Sequence, residues 1–289
     1  MGERRDHVPG GTFGGRRDHA AGGTSRGGRE WRAHDAERRR WPDAADDSGD
    51  SREPWREPLG EFAERRGGAP SGPELPSGAD WHALDPAVRT QLRQLSKLNA
   101  EWVGAHLAAA GQIIDSDPQR ALAHARAARS QAGRLGVVRE AVGIAAYEAG
   151  EWAEALTELR AARRISGEAH TLALIADCER ALGRPEHAVR LLSDPAVPTL
   201  DADSRAELLV VVAGARRDLG QLDAALSVLA RGGVDPQRPR PGSMRLWYAY
   251  ADTLHALGRD EDAARWFAWS AALDPDGETD AAERAAALL

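Results

Sequence analysis

The chain is poor in the residues that would commit it to chemistry. It has a single cysteine, Cys178, which excludes an intramolecular disulfide and fits a reducing, cytoplasmic setting better than an exported one. Its nine histidines are scattered, with no Cys/His cluster at metal-ligand spacing, so no metal site is expected. Lysine occurs once, at Lys97, and no phosphate-binding glycine loop precedes it. His-Glu-x-x-His and Gly-x-Ser-x-Gly are both missing, so neither a catalytic residue nor a cofactor is expected. No uncharged apolar run approaches the roughly 18 residues needed to cross a bilayer, and no basic-then-apolar leader opens the chain. A membrane partner is therefore not expected, and the chain reads as soluble.

What is present is unevenly distributed. The net charge of −7 argues against a chain built mainly to coat nucleic acid. Residues 1–80 hold half of the 30 glycines, seven prolines and almost no branched aliphatics. Such a segment cannot bury enough apolar surface to offset chain entropy, and it reads as a disordered Gly/Arg/Pro-rich tail. Its first forty residues carry ten arginines against six acids, and the next forty carry four against ten. Arg26-Gly27-Gly28 and Arg66-Gly67-Gly68, with Trp31 and Trp41 near Arg38-Arg39-Arg40, resemble segments that hold RNA by phosphate contact and base stacking. The competing reading is a solvating tail.

From Asp85-Pro86 onward the pattern is helical, with Asp85 as a capping residue and Pro86 at the first helical position. A repeat follows. Gly150, Gly183, Gly220 and Gly258 are each followed five residues later by alanine, at Ala155, Ala188, Ala225 and Ala263. With Ala121 the alanine recurs after 34, 33, 37 and 38 residues, close to the period of stacked helix pairs. In this pattern the glycine ends a first helix in a left-handed conformation, and the alanine lets the second helix cross it near contact distance. Trp152, Leu156 and Leu159 would fill the space between successive pairs.

The stretch Trp247, Tyr250-Ala251, Leu254, Gly258, Ala263, Phe267, Pro275 carries aromatic, large, small and glycine positions at the spacing of the tetratricopeptide repeat, and this part of the chain resembles that family. Val142, Gly143, Gly150, Trp152, Ala155, Leu159 and Ala162 fit as well. The third and fourth units are degenerate, with Pro185 and Leu222 where an aromatic usually follows the turn. With its charged, glycine-rich leader the layout resembles tetratricopeptide proteins of high-GC actinobacteria. The resemblance implies an all-α superhelical solenoid of about five helix pairs over residues 81–289, closed by a helix within residues 278–289. It further implies a non-enzymatic scaffold whose first helices line a concave groove for a protein or peptide partner.

Counting back from the turn glycines gives the residues expected to line that groove: Glu140, Ile144 and Tyr147; His170, Asp177 and Arg180; Glu207, Val210 and Arg217; Arg245, Tyr248, Asp252 and His255. Tyr147 and Tyr248 would anchor, while Arg180, Arg217 and Arg245 would meet carboxylate or phosphate. Each is equally readable as an ordinary helix-surface residue. The lysine- and asparagine-rich carboxylate clamp of the family is not expected, because Asn99 is the only asparagine. A second surface is a ridge of Arg126, Arg129, Arg160 and Arg163 at matching positions of two units, suited to phosphate or simply complementing helix C-termini. With the tail, this ridge is the basis of an alternative as an RNA or ribonucleoprotein accessory. Cys178 reads as a small buried residue. Asp274-Pro275-Asp276-Gly277 reads as a helix-ending turn rather than a calcium loop.

Overall fold

Helix starts are set by local chemistry. The Asp85 carboxylate accepts a hydrogen bond from the Ala87 amide, and Pro86 opens α1, Pro86–Leu92, without sacrificing a donor. Ser96 and Asp117 cap α2, Lys97–Ile113, and α3, Pro118–Ala132, in the same way, and the Asp201 carboxylate caps the helix Ala202–Asp218. The remaining helices are α4, Gly136–Glu148; α5, Trp152–Ser166; α6, Leu172–Ala181; α7, Pro185–Arg190; α8, Ala202–Asp218; α9, Leu222–Ala230; α10, Ser243–Ala256; α11, Asp260–Ala271; and α12, Ala281–Ala287. These elements come from a computed structural model that describes residues 71–289. The Arg-Gly-Gly segments, Trp31, Trp41 and most of the expected tail lie outside the described residues.

Helices α2/α3, α4/α5, α6/α7, α8/α9 and α10/α11 form five pairs, each packed on the next, with α12 against α11. The described residues hold no strand, and the fold is an all-α stack of tetratricopeptide-like helix pairs. The four turn glycines have φ between 70° and 77°, a conformation that costs an L side chain energy but not glycine. At each, the next amide reaches back to a carbonyl five residues earlier, as from Glu151 to Ala146 and from Arg259 to Leu254, so all four first helices end alike. Ala121, Ala155, Ala188, Ala225 and Ala263 are all fully buried, which establishes the five-unit register. A Cβ on Gly143 would lie 2.7 Å from the Leu159 side chain and 3.0 Å from its backbone nitrogen. Glycine is thus what allows α4 and α5 to approach so closely.

The core runs along the stack in successive clusters rather than as one sphere. Gly104, which looks out of place in a helix, has a structural reason: a Cβ there would lie 2.5 Å from that of Trp81, whose turn packs onto α2. The degenerate third unit has a second helix of only six residues, continued by the 3-10 turns Leu191–Ser193 and Val197–Thr199. Pro195 and Pro198 lack the amides a longer helix would need. The described part begins ten residues before the boundary expected from composition, and those residues lie against α2 and α3.

Candidate functional site

The equivalent first helices α4, α6, α8 and α10, followed by α12, are joined by side-chain bonds between residues about one repeat apart. His170, just before α6, meets Glu140 of α4 at 2.7 Å, and Tyr147 Oη donates to Asp177 Oδ2 at 2.6 Å. Arg180 donates through Nη1 to Asp177 at 3.0 Å and through Nε to Asp218 of α8 at 2.8 Å. Arg245 Nη1 reaches back to Glu207 at 2.9 Å, and Arg217 pairs with Asp252 of α10. Tyr248 Oη donates to Asp280 at 2.6 Å, and Arg284 of α12 donates to Asp252 at 2.7 Å. In these contacts α12 takes the place of a sixth first helix.

Ten of the thirteen residues expected to line the groove, all except Ile144, Val210 and His255, therefore bind side chains of neighbouring units. Both tyrosine rings are buried, Tyr147 edge-on to Trp152 and Tyr248 edge-on to Phe267. Arg245 is also buried, while Ile144 and Val210 are half-buried against the core. His255 stands apart and bonds to Asp260 of its own pair. Burial acts to raise the Asp252 carboxyl, but Arg217 and Arg284 outweigh it and hold the group below its ordinary value. Burial, then the bond to Asp280, pushes the Tyr248 hydroxyl well above its usual range.

The four arginines expected to form a phosphate ridge each meet a carboxylate further along the chain. Arg126 grips Glu154 with two nitrogens, and Arg129 bonds to Glu154 and Glu158. Arg160 pairs with Glu179, and Arg163 donates to Asp194 at 2.6 Å. Glu158 and Glu179 are buried, and each lies between two guanidinium groups, Arg129 and Arg139 for the first and Arg160 and Arg184 for the second. A buried carboxylate is tolerable only when paired in this manner.

Reading the chain one helix at a time missed Glu154, Glu158, Glu179, Asp194, Asp218, Asp280 and Arg284. The available signal was opposite charge recurring at about the repeat length, as in Arg180 with Asp218 or Arg217 with Asp252. Cys178 is buried, and burial together with Asp177 and Glu179 pushes its thiol up to about 12, so it is a packing residue rather than a nucleophile. Asp274 accepts bonds from the amides of Glu278 and Thr279 at 2.8 Å, the geometry of a turn. No group of three or more metal-ligating side chains, and no helix long and apolar enough to cross a membrane, occurs among the described residues.

No protein-family model matches the chain, and no curated protein matches it. Among solved structures, it is similar to YrrB, described as a tetratricopeptide repeat protein with an unusual peptide-binding site. The two are 18% identical over 70% of this chain and 96% of that one, with a TM-score of 0.44.

Proposed function

We propose that this chain is a non-enzymatic scaffold that binds a protein or peptide partner along its first-helix face. The observation that carries the reading is the recurrence of cross-unit bonds at successive units between Glu140 and Arg284. These bonds hold polar groups of the first helices α4, α6, α8 and α10 and of α12 in fixed positions, so a partner laid along them meets a preorganised surface and little side-chain freedom is lost on binding. Charges of both signs alternate along it, which suits an extended segment carrying both. The reading includes a reducing cytoplasmic setting, supported by a lone, buried thiol.

Binding of RNA gains no support from the ridge, since Arg126, Arg129, Arg160 and Arg163 are each engaged with a carboxylate. The test is capture from lysate by the full chain, washed at low and high salt and with or without nuclease. A protein retained at high salt, and weakened about tenfold by Glu140→Ala with His170→Ala, is the expected outcome. Both positions are partly exposed, so the fold should survive the change. Retention unaffected by the double substitution would remove the first-helix face from consideration. Recovery of nuclease-sensitive RNA alone, lost at high salt, would move the function to phosphate binding.

A further inference from the structure

Ahead of the first helix, residues 72–76 have no regular secondary structure and lead into a turn at Ser77–Gly78, and this segment lies against α2 and α3. Gly72 lies so close to His106 that a Cβ on it would be 2.7 Å from the ring Cε1 and 2.9 Å from Nε2. Pro73, Leu75 and Pro76 are half-buried. Two side chains hold the segment by its carbonyls: Gln112 of α2 donates to Gly78 at 2.9 Å, and Arg120 of α3 donates to Glu74 at 3.4 Å.

Beneath the segment lies a pair of buried imidazoles. His106 Nδ1 and His124 Nδ1 are 2.9 Å apart, and the Trp102 ring lies tilted against His106 with centroids 4.2 Å apart. That contact requires one proton between the two nitrogens, with one ring donating and the other accepting. The pair can take up one further proton and keep the bond, but two would leave N–H facing N–H. His124 Nε2 is buried with no hydrogen-bond partner among the described residues, so no acceptor waits there for a proton. The surrounding charges do not favour an imidazolium. Arg120, one turn before His124 on α3, acts on it as a like charge. On α2, Lys97 and Glu101 lie more than a turn from His106, and on the segment Glu74 is exposed. No carboxylate pairs with either ring among the described residues.

We propose that residues 72–78 and the His106–His124 pair form a proton-released clasp, closed while the pair shares one proton and opened when both rings become charged, so that the α2–α3 face beneath is uncovered. Burial first, and the neighbouring ring second, hold His106 down at about 4 against an ordinary value of 6.5, and burial with Arg120 lowers His124. The open state, with hydrated rings, therefore binds more protons than the closed one. Closure is complete above about pH 6.5 and weakens progressively as the pH falls toward about 4.

Hydrogen–deuterium exchange on the full chain, corrected for intrinsic rates, tests this at about pH 7.5 and about pH 5. The expected result is a loss of protection of about tenfold or more at the lower pH for the amides of residues 74–80, with α6 to α11 unchanged. His106→Gln with His124→Gln should leave the segment equally protected at both values. Should that variant not fold, Gly72→Ala provides the second arm, since its methyl group enters the space of the His106 ring and should expose the segment at both pH values. Protection that is the same at both pH values in the unaltered chain would overturn the proposal. So would a pH response that persists in the histidine variant, or a Gly72→Ala chain that behaves as the unaltered one.

Discussion

The second and third units solve the same packing problem with unequal material. In the second, α5 runs for 15 residues and ends at Gly167 with φ 76°. In the third, α7 stops after six and gives way to two short turns. Yet Ala155 and Ala188 occupy the same position and are both fully buried. The register of the stack thus depends on the offset from turn glycine to alanine and not on helix length. What the short helix cannot bury is supplemented by charge: Arg160 and Arg184 close on Glu179, and Arg163 on Asp194, tying α5 to the elements that follow.

That comparison can be strained at three points. The largest effect is expected four residues after each alanine. Leu159 is fully buried, and Leu159→Ala should cost about 3 kcal/mol in urea unfolding by emptying a site held between α4 and α5. Its counterpart Leu192 is half-buried in a turn, and Leu192→Ala should cost about 1 kcal/mol. Equal losses would mean that the third unit is packed as tightly as the second. The alanines themselves come next. Ala155→Leu should cost about 1–3 kcal/mol by wedging α5 from α4, and Ala188→Leu should fall at the lower end of that range because a six-residue helix can shift. Melting temperatures of the two variants would rank them, and the opposite order would refute the argument.

The smallest effect is that of acid. The bond to Arg126, outweighing burial, holds the Glu154 carboxyl below its ordinary value, and Arg163 does the same for Asp194. Because the folded state binds these protons less readily than the unfolded one, their stabilisation is full above about pH 4.5 and is lost as the pH falls through the lowered values. Each should contribute no more than about 0.5–1 kcal/mol, given partial exposure. Urea titrations of Arg163→Gln at neutral and acid pH check this, and the variant should show a shallower acid loss than the unaltered chain.

Much of the fold could be read without coordinates. Glycine at each turn and alanine five residues on are local demands, one for a left-handed backbone and the other for close approach, and they leave a periodic trace. The candidate groove was readable only as a set of positions. Tyr147, Arg180, Arg217 and Asp252 were identified as first-helix residues, but the partners that occupy them, Asp177, Asp218 and Arg284, come from the next unit along. Nothing within a single helix announces a bond to a residue about 30 positions away. The tail was readable as composition alone.

The amino-acid sequence by itself therefore determined the helical class, the five-unit register and the weakness of the third unit, because those follow from backbone conformation and side-chain volume at fixed spacing. Only the tertiary structure decided what the charges do. Opposite charges distant in sequence find each other when stacking brings equivalent helices within hydrogen-bonding distance, and burial then makes pairing obligatory for carboxylates such as Glu158 and Glu179. The same holds for the histidine pair: His106 and His124 are unremarkable 18 residues apart, and become a proton-sharing contact only when α3 folds back on α2 beneath the segment that precedes them.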